Sequence, residues 1–260
     1  MIDLPHLPDV PEPLLILVSL GFTGLLVILR LDSARFGAAE YDEADRFGHV
    51  PSFRRRIAWY ALGTGGVVAV ALVHPNPDTT LFLGPGDRLG AIGWGVAYGV
   101  GGVVAALLVA YWRYQHLRLP TVRSYPGALI NQVATAFLDE AVFRGLVFGW
   151  LIVVGLEPTV ANVIQALTYA LATRTGAPRR PKTMLFLVLA IGLVSGYVTA
   201  LTGGIGAAFL GHAVTRFAFF LTTGHVGQPA ERGREVEELE KRRRTPDGWR
   251  LIGPRGSEDR

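Results

Sequence analysis

Residues 127–154 form an apolar stretch long enough to cross a bilayer, and near its middle stand Asp139, Glu140 and Arg144. Each such charge costs roughly a few kcal/mol or more to hold in hydrocarbon, so this segment must turn them toward protein or water. Glu140 and Arg144 are spaced so that a helix stacks them on one face, where they can pair, while Asp139 sits about 100° around. Asn131, Gln132 and Thr135 share that arc, whereas Ala134, Phe137, Leu138, Ala141 and Gly145 fill the other. One side of the helix faces the interior and the other faces lipid.

The rest of the chain supplies a bundle for this helix to sit in. Half the residues are hydrophobic, Gly is abundant at 32, and charge is only 18% and concentrated in a few places. That composition belongs to a membrane protein. The expected fold is all-α, a polytopic transmembrane bundle of about seven spans. They fall near residues 14–29, 57–73, 91–111, 127–154, 160–173, 184–201 and 205–221. Three regions follow: 1–124 with the first three spans, 125–222 with the last four, and a charged tail at 223–260.

Orientation is read from the Lys and Arg residues. The segments after spans one, three, five and seven carry Arg30, Arg35, Arg46 and Arg54–Arg56; Arg113, Arg118 and Arg123; Arg174, Arg179, Arg180 and Lys182; and the basic tail. The other side has Arg88, which leaves Arg144 and Arg216 inside the membrane. Excess Lys and Arg marks the cytoplasmic side, so the N-terminus is expected outside and the C-terminus in the cytoplasm of a cell-membrane protein. The net charge of +4 then reflects topology and contact with anionic lipid, not nucleic acid, for which no basic patch interleaved with aromatics exists.

The N-terminal segment lacks a basic start and a small-residue cleavage site, so the first span reads as a retained anchor. The chain has no cysteine, which excludes disulfides, thiolate metal sites and thiol catalysis. Residues 30–56 read as a juxtamembrane amphipathic helix or a solvated loop. Glu237/Lys241, Glu238/Arg242 and Glu240/Arg244 make 230–244 a surface helix, and the turn-rich segment beyond Thr245 brings Trp249 to the headgroups. Gly95, Gly99, Gly192 and Gly196 form two small-xxx-small pairs. Their plain use is close packing inside one copy, and the other is a homo-oligomer.

Two later spans offer partners for the carboxylates. In the fifth, Asn162, Gln165, Tyr169 and Thr173 fall within about 80° on a helical wheel, a polar stripe that faces the bundle and lines the site. In the seventh, His212 and Arg216 share a face, with Ala208 one turn earlier leaving room. A lone histidine in an apolar helix is usually a packing residue. The two carboxylates and the arginine already needing an interior site shift this one toward chemistry.

With these residues in hand, the segment 127–221 resembles the CAAX prenyl protease and bacteriocin-processing (CPBP) family of intramembrane proteases. The family's pattern is Glu-Glu-x-x-x-Arg on one span, Phe-x-x-x-His on a later one and His-x-x-x-Asn/Asp on another. Here the first motif reads Asp139-Glu140-x-x-x-Arg144-Gly145, the second Tyr169-x-x-x-Thr173 and the third His212-x-x-x-Arg216. The resemblance implies hydrolysis of a peptide bond in a membrane-associated protein or peptide by a carboxylate-activated water. Carried over, Asp139 is the general base, Glu140 and Arg144 a structural pair, and His212 the orienting group or acid.

The altered positions matter chemically. A guanidinium beside a carboxylate weakens it as a base, and Arg216 on the histidine face is placed to do that. It also makes a neutral set of two carboxylates and two guanidiniums suited to holding helices together. Thr173 can donate a hydrogen bond to an oxyanion but cannot carry a proton near neutral pH. A divalent metal is a lesser reading, because one histidine and two carboxylates fall short of the usual protein shell; no other cofactor is implied. Three functions stay open: an endopeptidase, a non-catalytic relative that binds or escorts a membrane partner, and a small proton-coupled transporter.

Overall fold

The computed structural model describes residues 10–36, 53–114, 117–120, 126–176, 183–223 and 249–252. The juxtamembrane residues 37–52 and the expected tail helix at 230–244 lie outside them. In chain order come α1 (Glu12–Leu31), a 3-10 turn (Ser33–Phe36), α2 (Phe53–Val73), the short α3 (Pro77–Thr80), α4 (Arg88–Tyr114), β1 (Leu117–Pro120) and α5 (Pro126–Asp139). A π-helical segment (Glu140–Val147), α6 (Phe148–Val153), α7 (Pro158–Gly176), α8 (Thr183–Thr202), α9 (Gly206–Thr223) and β2 (Trp249–Ile252) complete it. The structure is therefore an all-helical bundle, as expected, with one short antiparallel ribbon in which Leu117 pairs with Ile252 and Pro120 with Trp249. That ribbon, not a free turn, is where the Trp249 backbone lies.

Among the described residues, four helices are long and apolar enough to cross a membrane by length and composition: Glu12–Leu31, Arg55–Val73, Arg88–Trp112 and Leu185–Thr202. Their outward faces are oily. On α4, Leu89, Ile92, Val96, Val100, Val104 and Leu108 recur every three or four residues and are all exposed, while Ala91, Ala106 and Ala110 are buried. An exposed apolar face on such a helix is one built for lipid.

Polar side chains go inward. On α1 the buried residues are Ser19, Thr23, Leu26 and Arg30, one stripe at helical spacing. The two hydroxyls satisfy themselves on carbonyls one turn back, Ser19 on Leu15 and Thr23 on Ser19, and Thr23 also accepts the Trp150 indole N–H at 3.0 Å. Small residues set the spacing between helices. Against α9, Gly95 meets Leu210 and Ala207, Gly99 meets Val214, and a Cβ on Gly102 would strike Thr215. Gly192 lies against Ala166 of α7, and a Cβ on Gly196 would strike Asn162 and Gln165. Both small-xxx-small pairs are thus engaged within the chain, which is their plain packing use.

At the end of the bundle opposite Arg30, residues 81–87 interlock with the turn between α8 and α9. Ile205 donates its N–H to Phe82 and Gly84 at 3.1 and 3.0 Å, and Asp87 donates to Thr202 at 2.8 Å. Gly86, at φ 74°, sits so close to the Thr202 carbonyl that no side chain fits there. At the α6–α7 turn, Glu157 caps α7. Bonds from the Thr159 N–H and hydroxyl and the Val160 N–H hold its carboxyl below the usual carboxylate range.

Candidate active site

The stretch of sequence that carries the charges is where the α-helix widens. Residues 140–147 adopt π-helical turns inside an otherwise continuous rod from Pro126 to Val153. Such widenings are uncommon and recur at functional sites. Here Glu140, Ala141, Val142, Phe143, Arg144, Gly145 and Leu146 are all buried. Gly145 and Gly149 let the rod lie directly on Leu81 and Leu83.

Glu140 is the hub of one half of the site. Its Oε1 lies 2.5 Å from Nδ1 of His212 and accepts the Ser195 hydroxyl at 3.2 Å. Ser195 in turn stands 3.0 Å from the Tyr98 hydroxyl. With Ser195 donating to the carboxylate, Tyr98 donates to Ser195, so α4, α8, α9 and the π-segment meet in one chain of hydrogen bonds. The other oxygen, Oε2, lies 3.3 Å from Nε of Arg144, and both side chains are fully buried. The Arg144 guanidinium sits over the Tyr169 ring at 4.1 Å. Its nitrogens have no hydrogen-bond partner among the described residues, so the ion pair and the ring face are what hold it.

Asp139 is the hub of the other half. Arg30 Nε lies 2.6 Å from Oδ1, and its Nη2 lies 3.4 Å from Oδ2. The same Nη2 reaches the Thr173 hydroxyl at 3.4 Å, while Nη1 donates to Ser33 at 3.1 Å. Tyr169 donates to Asp139 Oδ2 at 3.4 Å. Arg216 Nη1 is 3.8 Å from that oxygen, and its Nε donates to Gln132 at 3.0 Å. Beyond Gln132, the Tyr60 hydroxyl bonds to Asn131 and lies 3.3 Å from Thr135.

Asp139, Glu140, Thr173, His212, Arg144, Arg216 and Tyr169 are therefore brought together. Asn162 and Gln165 are not among them: Asn162 donates to the Leu193 carbonyl at 3.1 Å, and Gln165 donates to Asn162 at 2.7 Å and to Gly192 at 2.9 Å. They clasp α7 to α8, because Gly192 and Gly196 leave backbone within reach. Arg30 needs the opposite correction. Its place at the end of a span reads as a topology marker, yet it is 4% exposed and turned inward. The charge set is consequently two carboxylates with three guanidiniums, Arg30, Arg144 and Arg216, rather than the neutral four-charge set expected. Among the described residues, no three His, Asp or Glu side chains are grouped as a metal shell.

A lipid-facing helical bundle with two adjacent carboxylates, a carboxylate-bound histidine and arginines sealed inside is the class this geometry defines. Residues 121–218 match the family model described as Rce1-like, the type II CAAX prenyl endopeptidases. That segment is thus similar to the CPBP family of intramembrane proteases, the family its motifs resemble. No curated protein and no solved structure matches the chain.

Proposed function

We propose that this protein is an intramembrane endopeptidase that cuts a membrane-associated protein or peptide near the cytoplasmic side of the bilayer. The observation that carries the reading is the Glu140–His212 contact at 2.5 Å, fully buried and directly beside Asp139. A carboxylate on Nδ1 fixes the ring and turns Nε2 to whatever enters the site, the arrangement used to orient a catalytic imidazole. In the proposed reaction, water attacks the scissile carbonyl carbon and passes its proton to Asp139. With Nδ1–H donating to Glu140, the unprotonated Nε2 of His212 accepts a hydrogen bond from that water and aligns it, the Thr173 hydroxyl donates to the developing oxyanion, the C–N bond breaks, and Asp139 returns the proton to the leaving nitrogen. Arg144 holds Glu140, and Tyr169 and Thr173 line the wall on the α7 side.

The topology we propose has seven crossings, the rod from Pro126 to Val153 together with α7 and α9 joining the four oily helices. The N-terminus lies outside and the tail in the cytoplasm, with 1–124, 125–222 and 223–260 as the regions. Membrane lipid and one peptide or membrane-protein substrate are the partners.

A second reading has its own observation: Asp139 is clamped by Arg30 and approached by Arg216, which suits a non-catalytic relative that binds or escorts a partner. Mass-spectrometric detection of cleavage of a membrane-tethered reporter in proteoliposomes separates the two. The endopeptidase produces defined fragments that His212→Ala removes. Fragments that persist unchanged in His212→Ala, or none from any active-site background, favour the binding protein.

A further inference from the structure

Arg30 belongs to α1, outside the matched segment 121–218, yet it makes the shortest contact to Asp139, at 2.6 Å. We propose that Arg30 is a latch on the Asp139 carboxylate: docked as seen here it covers both oxygens, and swung toward the end of α1 it uncovers them for water and substrate. A general base needs an oxygen lone pair within hydrogen-bond reach of the water it activates. Here the guanidinium spans Oδ1 and Oδ2 at 2.6 and 3.4 Å, and Tyr169 and Arg216 approach Oδ2 from other sides at 3.4 and 3.8 Å. Docked, the latch shuts the base.

The side chain also has somewhere else to go. Arg30 is the last residue but one of α1, which ends at Leu31. A long arginine at a helix end reaches the headgroup region by snorkelling, so the undocked position keeps its charge solvated. The docked position exists because Thr173 is short: its hydroxyl accepts from Nη2 at 3.4 Å, and Ser33 takes Nη1 at 3.1 Å. Two stabilised positions for one charge, ion-paired in the interior or solvated at the headgroups, make a two-state element whose balance a substrate or lipid can shift. The latch deepens the endopeptidase reading and rests on it for its consequence, but not for its geometry.

The test reads the carboxylate directly. The full-length protein in proteoliposomes is treated with a hydrophobic carbodiimide, and adducts on Asp139 and Glu140 are quantified by peptide mass spectrometry in wild type, Arg30→Met and Arg30→Lys. The expected result is adduct formation on Asp139 about tenfold faster in Arg30→Met, with Arg30→Lys intermediate because an ammonium cannot span both oxygens. Glu140, held by His212 and Arg144, stays unchanged and reports whether the bundle itself has loosened. Equal labelling of Asp139 in all three proteins, or a parallel rise on Glu140, overturns the latch. If Arg30→Met does not fold, Arg30→Lys decides by the same comparison. Reporter cleavage is followed separately: faster Asp139 labelling with no cleavage in any variant leaves the latch standing and overturns the endopeptidase.

Discussion

Replacing Glu140 with Gln removes the one negative charge that faces both His212 and Arg144. In the native arrangement Oε1 serves His212 at 2.5 Å and Ser195 at 3.2 Å, and Oε2 stands 3.3 Å from Arg144. The Arg144 side chain is fully buried and lies against Tyr169 at 4.1 Å, so it has no route to water when its carboxylate is lost. Removing one member of a buried pair costs about 3 to 5 kcal/mol, most of it the penalty on the charge left behind. The upper half of that range applies here, since the amide also loses the charge-assisted bond to His212. Arg144→Met should cost less, because Glu140 keeps His212 and Ser195 as partners. The double variant leaves neither charge stranded and should fall short of the sum of the two by about 1 to 3 kcal/mol. Unfolding in mild detergent titrated with a denaturing detergent measures all three. Additive effects, or single variants within about 0.5 kcal/mol of wild type, would refute the pairing.

A side chain at Gly102 runs into Thr215, whereas Gly101 faces open space. Gly102→Val should therefore cost about 1 to 3 kcal/mol or more in the same titration, and Gly101→Val close to nothing. Thr173→His places a ring where Arg30 now bonds and should destabilise alone but be tolerated with Arg30→Ala, a coupling read as non-additivity. Reporter fusions after Pro77 and after Thr222 should report opposite sides of the membrane; a common side would contradict the proposed topology.

The interior site was legible because charges inside an oily stretch have few physical explanations. Glu140 with Arg144, and His212 with Arg216, follow from helical spacing. What spacing does not show is the crossed pairing between helices, in which His212 takes Glu140 while Arg216 takes Gln132 and approaches Asp139. The stripe on α7 was real, but its half nearest Pro158 bonds to α8 backbone bared by Gly192 and Gly196. Spacing alone cannot distinguish a polar group aimed at a site from one aimed at a carbonyl. Arg30 was hidden for a different reason: an arginine at a span's end is equally at home in headgroups, and only the fold shows it turned inward. The π-segment has no residue signal, since nothing in Glu140–Val147 forces an i→i+5 turn.

The most direct test of the central claim is the initial rate at which proteoliposomes cleave a membrane-tethered reporter peptide, compared between wild type, Arg30→Met and the same two proteins carrying Asp139→Asn. The structure predicts slow cleavage by wild type, faster cleavage by Arg30→Met, and none once Asp139 has lost its carboxylate. Cleavage that survives Asp139→Asn in both backgrounds, or is absent from all four proteins, would contradict it.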